Sequence, residues 1–315
     1  MVDIAENTRK INALIESVSR VIVGKDDIIK NVIAALICSG HVLIEDVPGV
    51  GKTQLVSALS RSLGGKFNRI QLTPDIMPSD IVGFSVVNQQ TYELEYRQGA
   101  AMCNFLLADE INRASPKAQS SLLEIMEEGQ ISLDGKTHIL PKPFMVLATQ
   151  NPVETYGTYH LPEAQMDRFF MKISMGYPTK AQELEIIRRT EGGNPISNIE
   201  SPVLELSDIT GLQNDVRNIN IMPNLREYIV ELCSVTRTND MVTLGISPRG
   251  SICLNKASAA CAMINGRDYV TPDDIKQMAR CVLPHRIILS SKGRSRYGTS
   301  NAYVEELTNS VPVPM

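Results

Sequence analysis

The segment Asp46–Thr53 constrains this chain more than any other, because few backbone arrangements accommodate it. It reads Asp-Val-Pro-Gly-Val-Gly-Lys-Thr. The apolar run His41–Ile44 precedes it and predicts a buried parallel strand, while Gln54–Leu63 follows with the pattern of a helix. Gly49 and Gly51 allow backbone N–H groups to converge on one point, and the start of a helix adds its positive dipole there. The order of strand, glycine-rich loop and helix therefore predicts a cradle for phosphate groups.

The last two residues of this loop carry the chemistry that a nucleoside triphosphate needs. Lys52 supplies a mobile cation for the β- and γ-phosphates, and Thr53 supplies a hydroxyl for Mg²⁺. A lysine at the start of an ordinary helix opposes the helix dipole by about 0.3–1 kcal/mol, so an unrelated turn would not favour it. Asp46 stands where the usual pattern has glycine, and we predict that it turns the chain in a left-handed conformation. The predicted ligands are ATP and Mg²⁺, and the predicted binding residues of the loop are Pro48, Gly49, Val50, Gly51, Lys52 and Thr53.

Two carboxylates supply the partner of this loop. Phe105–Ala108 is apolar and predicts a buried strand, and Asp109 and Glu110 follow at its end. In P-loop ATPases the first acid holds Mg²⁺, directly or through water, and the second polarises the attacking water. Acidic residues after a strand are common in solvated loops, so this pair is specific only together with Lys52 and Thr53. The combination predicts an enzyme that hydrolyses ATP.

The composition narrows the expected partners and compartment. Lys and Arg number 31 against 35 Asp and Glu, a net charge of −4, so we do not expect a nucleic-acid partner. No apolar run reaches the roughly 20 residues that span a bilayer, and the N-terminus lacks the apolar stretch of a secretory signal. We therefore expect a cytoplasmic protein without membrane insertion. The six cysteines are scattered without a CxxC pair, which predicts free thiols.

Strand and helix signals alternate in the first part of the chain. Strands are predicted at Arg69–Leu72, Asn104–Ala108, Phe144–Ala148 and Phe170–Ser174. A helix is predicted at Pro116–Glu128, with Ser115 placed to cap it. Alternation of this kind predicts a parallel sheet with helices on both faces. We assign residues 1–177 to an α/β P-loop NTPase core.

Helical signals dominate the second part of the chain. Helices are predicted at Thr179–Thr190, Ser207–Asn218, Pro223–Thr236, Ser247–Asn265 and Thr271–Arg286. We assign residues 178–315 to an all-α lid domain. The basic segment Lys292–Arg296 is interpreted as a solvated end.

Several motifs closely resemble the MoxR family of AAA+ ATPases. They are Leu107–Gln119 (LADEINRASPKAQ), Leu72–Gly83 (LTPDIMPSDIVG), Ala148–Pro152 (ATQNP), Leu161–Phe169 (LPEAQMDRF), Ser247–Arg249 (SPR) and the stretch His41–Thr53. The resemblance covers most of the chain and includes Asp46, since members of the family often read E-D-V-P-G there. It implies an AAA+ core with a helical lid, assembly into a ring that is usually hexameric, and ATP bound between core, lid and neighbouring subunit.

The resemblance also implies roles for individual residues. Asn151 resembles sensor 1, the polar residue that orients the lytic water. Arg168 resembles the arginine finger that reaches into a neighbour's site. Arg249 resembles sensor 2 on the lid. It lies in the first turn of a predicted helix, where the positive end of the helix dipole disfavours a cation. A bound anion would explain an arginine at this position. Val23 and Gly24 match the family position beside the adenine.

Two insertions place the chain within the AAA+ proteins. Residues 71–101 separate the second and third core strands and match the helix-2 insert of the family. Residues 129–143 match its pre-sensor 1 hairpin, and Asp134-Gly135 within them is a strong signal for a two-residue hairpin turn. We expect Lys136 and His138, near the tip of this hairpin, to be available to a partner, and its outward apolar residues to pack on the helix-2 insert or on that partner.

By this resemblance, ATP hydrolysis drives chaperone-like remodelling of a protein client, such as a protein with a von Willebrand factor A domain. Three alternatives remain open at this point. One is a metal-insertion motor similar to the AAA+ subunit of magnesium chelatase, and another is a nucleic-acid motor with the same insertions. The third is a nucleotide-dependent scaffold with little turnover, which the full set of Lys52, Thr53, Asp109, Glu110 and Asn151 disfavours.

Overall fold

The regular elements follow the alternation that the sequence predicts. The computed structural model describes residues 3–152 and 158–314. Its strands are β1 (Val42–Glu45), β2 (Phe67–Gln71), β3 (Gly83–Val87), β4 (Leu94–Gln98), β5 (Phe105–Asp109), β6 (Gln130–Leu133), β7 (Lys136–Ile139), β8 (Met145–Gln150), β9 (Met171–Ile173), β10 (Val242–Leu244) and β11 (Ile288–Leu289). Its α-helices are α1 (Ile4–Ser19), α2 (Asp26–Ile37), α3 (Lys52–Ser62), α4 (Pro78–Val82), α5 (Pro116–Glu128), α6 (Glu163–Met166), α7 (Lys180–Glu191), α8 (Leu206–Asp215), α9 (Pro223–Thr238), α10 (Pro248–Ile264), α11 (Pro272–Val282), α12 (Ser291–Tyr297) and α13 (Ser300–Ser310).

Five of these strands form the central sheet, in the order β2-β5-β8-β1-β9, and every neighbouring pair is parallel. Successive side chains point to opposite faces. Ile44 and Leu107 join the core that α1, α2 and α3 cover, whereas Leu43 and Leu106 join the core on the other face with α5. Burial on both faces explains why these strands read as continuous apolar runs. The predicted α/β fold with a parallel sheet is confirmed.

Helix boundaries follow the local capping chemistry. The side chain of Ser115 accepts the backbone N–H of Ala118 and starts α5, which ends at Gly129 in a left-handed conformation. The side chain of Asp274 accepts the backbone N–H of Thr271 at 2.8 Å and closes the capping box of α11. These signals lie within a few residues of each other in sequence, so the sequence alone predicts where such helices begin.

Both predicted insertions contain a hairpin. In the helix-2 insert, β3 pairs antiparallel with β4, and in the second insertion β6 pairs antiparallel with β7. Asp134 and Gly135 both have positive φ, as the two-residue turn requires. The ring of His138 on β7 stacks on Tyr96 of β4, with 3.9 Å between the ring centroids. The two insertions therefore touch each other, and Tyr96 partly covers His138.

The C-terminal region is helical apart from the short antiparallel pair of β10 and β11. Its helices share one continuous core with α1 and α2, since Leu254 and Ile275 belong to the same buried cluster as Ile11 and Ile33. Within the described residues, no helix combines the length and hydropathy that crossing a membrane requires. The described cysteines are free thiols, as predicted.

The interpretation of Lys292–Arg296 as a solvated end is wrong. These residues form most of α12, which Ser290 caps through the backbone N–H of Gly293. Gly293 is buried, and a Cβ there would meet the carbonyl oxygen of Met241 at 2.1 Å. In the next helix, α13, the side chain of Tyr303 is buried in the core. The charged side chains lie on the exposed face of α12, so the sequence of this packed helix resembles that of a solvated tail.

The imidazole of His41 is buried where β1, α5 and β8 meet. Its Nδ1 accepts the backbone N–H of Val146 at 2.9 Å, and its Nε2 lies 2.8 Å from the carbonyl oxygen of Met126. Because Nδ1 accepts, the ring is the neutral tautomer that donates from Nε2. Burial lowers the pKa of His41 to about 4, and the hydrogen bond to Met126 only partly opposes this effect.

Stability is therefore expected to fall as the pH drops below 6.5. A histidine whose pKa is lower in the folded than in the unfolded chain contributes its full stability above the unfolded pKa and loses it towards the folded pKa. From pH 7 to pH 5, His41 should remove about 2 kcal/mol from the free energy of unfolding. Urea unfolding of the parent and of His41→Gln at both pH values checks this, because the variant should lose about 2 kcal/mol less. Equal losses in both proteins would contradict the prediction.

Candidate functional site

The carboxyl ends of three central strands bring the predicted residues together. The loop after β1, the carboxylates at the end of β5 and Asn151 after β8 line one cavity of ≈ 300 Å³. Its lining residues are Pro48, Gly49, Gly51, Lys52, Thr53, Gln54, Arg69, Gln71, Asp109, Glu110, Thr149 and Asn151. The carboxyl edge of an open parallel sheet is the usual ligand-binding edge.

The loop has the backbone that a phosphate cradle needs. Gly49 has φ +85° and Gly51 has φ +96°, conformations that residues with a Cβ rarely adopt. A Cβ at Gly49 would meet nothing within 4 Å, so the concave side of the loop is open. Lys52 is the first residue of α3, and its Nζ donates to the carbonyl oxygens of Asp46 at 3.0 Å and Val47 at 3.3 Å. These contacts hold the ammonium group against the loop, beside the N–H groups that begin α3.

Asp46 has a role that the sequence did not predict. Its φ is not positive, so the expected left-handed turn at this position is wrong. The carboxylate is buried and accepts hydrogen bonds from the hydroxyl of Ser174 at 3.1 Å and from the backbone N–H groups of Met175 and Gly176. Asp46 therefore ties the start of the phosphate loop to the segment that follows β9. Glycine at this position could not make these bonds.

Asp109 is buried at the end of β5 and faces a cation and a hydroxyl. Its Oδ1 accepts the hydroxyl of Thr149 at 3.2 Å, and its Oδ2 accepts Nε of Arg69 at 2.7 Å. A buried carboxylate beside the hydroxyl of Thr53 in one cavity is the oxygen-rich donor set that Mg²⁺ prefers. The residues present therefore fit Mg²⁺ and a triphosphate together.

The backbone of Glu110 is held in an unusual conformation. Its φ is +58°, a left-handed conformation that costs a non-glycine residue of order 1–3 kcal/mol. The N–H of Glu110 donates to Oγ1 of Thr149 at 2.9 Å, which stabilises this conformation. The carboxylate lines the cavity and pairs with Arg113 at 3.0 Å. This left-handed residue thus places its carboxylate at the wall of the cavity.

A second cavity of ≈ 220 Å³ adjoins the phosphate loop; Gly49 and Gly51 line both cavities, and Val50 lines only this second one. Val23 lies on one wall, and Ile186 of α7 lies on the opposite wall. Its lining is mostly apolar, which suits a flat nucleobase. Gly24 does not line the cavity, and its carbonyl instead accepts the side-chain amide of Gln182 at 3.1 Å. Of the two residues predicted beside the adenine, only Val23 lines this cavity.

Arg168 and Arg249 lie in neither cavity. Arg168 follows α6, Arg249 lies in the first turn of α10, and both reach Glu127 near the end of α5. Nε of Arg168 lies 3.3 Å from one oxygen of Glu127, and Nη2 of Arg249 lies 2.9 Å from the other. All three side chains are partly exposed. The chain thus presents two arginines together on its surface, apart from its own phosphate loop.

Asp167, next to Arg168 in sequence, connects this part of the core to the lid. Its carboxylate accepts the hydroxyl of Ser247 at 2.8 Å and Nε of Arg286 at 2.7 Å. Arg286 is itself buried and also donates to the carbonyl oxygen of Phe169. Ser247 caps the helix that carries Arg249, so Asp167 links that helix to the segment that carries Arg168.

Comparison with known proteins agrees with this geometry. A model of the ATPase family associated with various cellular activities (AAA) matches residues 41–171, and a model of the AAA lid domain matches residues 234–307. The chain is 51% identical to the uncharacterized protein YeaC of Bacillus subtilis, over 96% of this chain and 94% of that protein. It is 42% identical to the chaperone MoxR1 of Mycobacterium tuberculosis, over 91% of this chain and 78% of that protein. This chain belongs to the MoxR family of AAA+ ATPases.

A solved structure agrees with this assignment. A crystal structure from Cytophaga hutchinsonii, described as a candidate ATPase, superimposes with a TM-score of 0.91 at 38% identity. The match covers 99% of this chain and 97% of that one. The MoxR fold thus extends over the whole described chain. Nucleotide binding, typically with Mg²⁺, is a property of the AAA family, and its members are usually oligomeric.

Three residues of the site were missed by the sequence analysis. Thr149 lies two positions before Asn151 on β8, so strand alternation alone would have directed both to one face. Arg69 is a charged residue within a strand that pairs with the buried strand β5. A charge at such a position is a sequence signal for a functional residue. Nothing in the local sequence indicated a functional role for Glu127, since it is one of several acidic residues on α5.

Proposed function

We propose that this MoxR-family chain binds Mg²⁺-ATP across the two cavities and hydrolyses it. The convergence of Lys52, Thr53, Asp109, Glu110 and Asn151 on one cavity supports this proposal most directly. Bound Mg²⁺ would neutralise charge that develops on the phosphates during transfer. Lys52 and the loop N–H groups bind the phosphate oxygens, while Thr53 and Asp109 hold the metal. Glu110 accepts a proton from the attacking water, and Asn151 orients that water.

We infer that Arg168 and Arg249 act on the nucleotide of a neighbouring copy in a ring, for which six members are expected from the family. Both arginines lie outside the chain's own two nucleotide cavities and share one carboxylate, Glu127, which neutralises only one of the two guanidinium charges. Such a group on the surface is complementary to a triphosphate presented by another subunit. A heterologous interface of this kind forms a ring when the rotation from each subunit to the next closes. The active site is then complete only between subunits.

The work that hydrolysis performs is proposed to be chaperone-like remodelling of a protein client. A relative at 42% identity is named a chaperone, which supports this class of function. The helix-2 insert exposes more than half of the side chains of Val87, Leu94 and Tyr92. Val87 and Leu94 pair directly across the β3–β4 hairpin, so the exposed apolar surface is continuous. We propose that a protein with a von Willebrand factor A domain binds this hairpin and the adjoining β6–β7 hairpin.

Changing the hairpins should separate basal from partner-stimulated hydrolysis. We expect replacement of residues 136–138 by Gly-Ser-Gly, or the double change Val87→Ser and Leu94→Ser, to leave basal ATP hydrolysis within about threefold of the parent, because neither set lines the nucleotide cavities. Stimulation by a purified von Willebrand factor A domain protein from the same genome should be lost. Val230→Ser on α9, which changes an equally exposed valine, serves as the matched control.

Two outcomes would count against this client surface. One is full stimulation of both hairpin variants by a partner that crosslinks only to α9–α11. The other is binding of duplex DNA that weakens steeply with salt and disappears in Lys136→Ala, which would favour a nucleic-acid motor instead. Metal-dependent stimulation by a porphyrin-binding partner would favour the metal-insertion alternative.

A further inference from the structure

One cation of the nucleotide cavity has no part in the mechanism described so far. Arg69 lies on β2, next to β5 in the sheet, and its Nε donates to Oδ2 of Asp109 at 2.7 Å. About half of its side chain is exposed, whereas that of Asp109 is 9% exposed. Arg69 also lines the same cavity as Lys52 and Thr53. The ion pair of Arg69 and Asp109 therefore lies at the wall of this cavity.

A metal on Asp109 would compete with this arrangement. Asp109 is the carboxylate expected to hold Mg²⁺, directly or through water. A guanidinium 2.7 Å from one of its oxygens would repel an arriving dication at close range. The metal and the guanidinium therefore oppose each other at this carboxylate. Because Arg69 is half exposed, the pair it leaves is close to a surface ion pair, and such pairs are weak.

The displaced side chain has a clear alternative partner. Arginine presents five N–H donors in a planar fork that matches phosphate oxygens, and only Nε is used in the bond to Asp109. Its backbone is fixed at the middle of β2 and Arg69 already lines the cavity, so a rotation of the side chain can bring the guanidinium to a phosphate bound there. The phosphate that lies nearest the metal and the general base is the terminal one of ATP.

We propose that Arg69 is a nucleotide-sensing residue that pairs with Asp109 in the nucleotide-free chain and transfers to the terminal phosphate when Mg²⁺-ATP binds. Arg69 then contributes to the affinity for ATP but not to that for ADP, which lacks this phosphate. It also competes with Mg²⁺ for Asp109. This inference rests on the proposed nucleotide site and adds a residue that distinguishes ATP from ADP.

The test compares nucleotide affinities by equilibrium titration, without relying on turnover. Arg69→Gln is combined with Glu110→Gln so that ATP is not consumed, and Glu110→Gln alone is the reference. We expect the affinity for Mg²⁺-ATP to fall about tenfold through loss of a charge-assisted hydrogen bond, while Mg²⁺-ADP affinity stays within about twofold. The Mg²⁺ concentration that half-saturates ADP binding should fall, because the competing cation is gone. Arg97→Gln removes another exposed strand arginine paired with a carboxylate, Glu95, and should change none of these values.

The other outcomes are equally definite. Equal losses for ATP and ADP, or no loss for either, would mean that Arg69 only neutralises Asp109, and the proposal would be overturned. Arg69→Lys keeps the charge and should retain part of the ATP preference, and retained ADP binding shows that each variant is folded. If the parent chain bound neither nucleotide, the nucleotide site itself would fail, which is a different result.

Discussion

A Glu110→Gln chain is expected to bind ATP as tightly as the parent and to hydrolyse it about 10²–10⁴-fold more slowly, which is the usual effect of losing a positioned general base. Glutamine has nearly the same shape and keeps the hydrogen bond that Arg113 makes to an oxygen in this position. The backbone N–H of residue 110 still reaches Thr149, so the local conformation should survive. Only the ability to accept a proton is removed.

Lys52→Ala is the complementary change and should abolish detectable ATP binding. Its Nζ is the cation that the loop holds beside the phosphate site. Binding is measured with a fluorescent ATP analogue and turnover by phosphate release. Glu231→Gln, an exposed glutamate on α9, is the control for both measurements. Hydrolysis by Glu110→Gln at the parent rate would show that another group activates the water.

The sequence predicted the parts of the site that are encoded locally. The phosphate loop combines two glycines, a lysine and a hydroxyl within a few consecutive residues. Asp109 and Glu110 lie at the end of a buried strand. Each motif carries its own geometry, and the parallel sheet then brings the strand ends together. Lys52, Thr53, Asp109, Glu110 and Asn151 therefore line one cavity.

The contacts between distant elements could not be predicted. The bond from Arg69 to Asp109 depends on β2 lying next to β5, and no local pattern specifies that order. Glu127 meets Arg168 and Arg249 only because the lid packs against the end of α5. Sequence patterns report periodicity and capping, whereas these pairs are set by topology and by the packing of the lid.

Arg168 is expected to matter for hydrolysis but not for binding, since it lies outside the cavities of its own chain. Arg168→Ala should bind ATP within about twofold of the parent and hydrolyse it about 10³–10⁵-fold more slowly, the usual effect of removing an arginine finger. Specific activity of the parent should rise with protein concentration as interfaces form. Arg226→Ala, an exposed arginine on α9, should behave like the parent in both assays.

Mixing two inactive variants separates action between subunits from action within one. In equal mixtures of Arg168→Ala and Glu110→Gln, about a quarter of the interfaces of a randomly assembled ring pair an intact Glu110 with a neighbour's intact Arg168. We expect hydrolysis to recover to about a quarter of the parent rate if each interface works alone. Subunit exchange is verified by fluorescence transfer between labelled chains. Two variants that exchange subunits yet never restore activity would place Arg168 in its own chain's site and contradict the ring mechanism. Repeating the mixture with Arg249→Ala then shows whether the lid arginine, which shares Glu127 with Arg168, acts across the same interface.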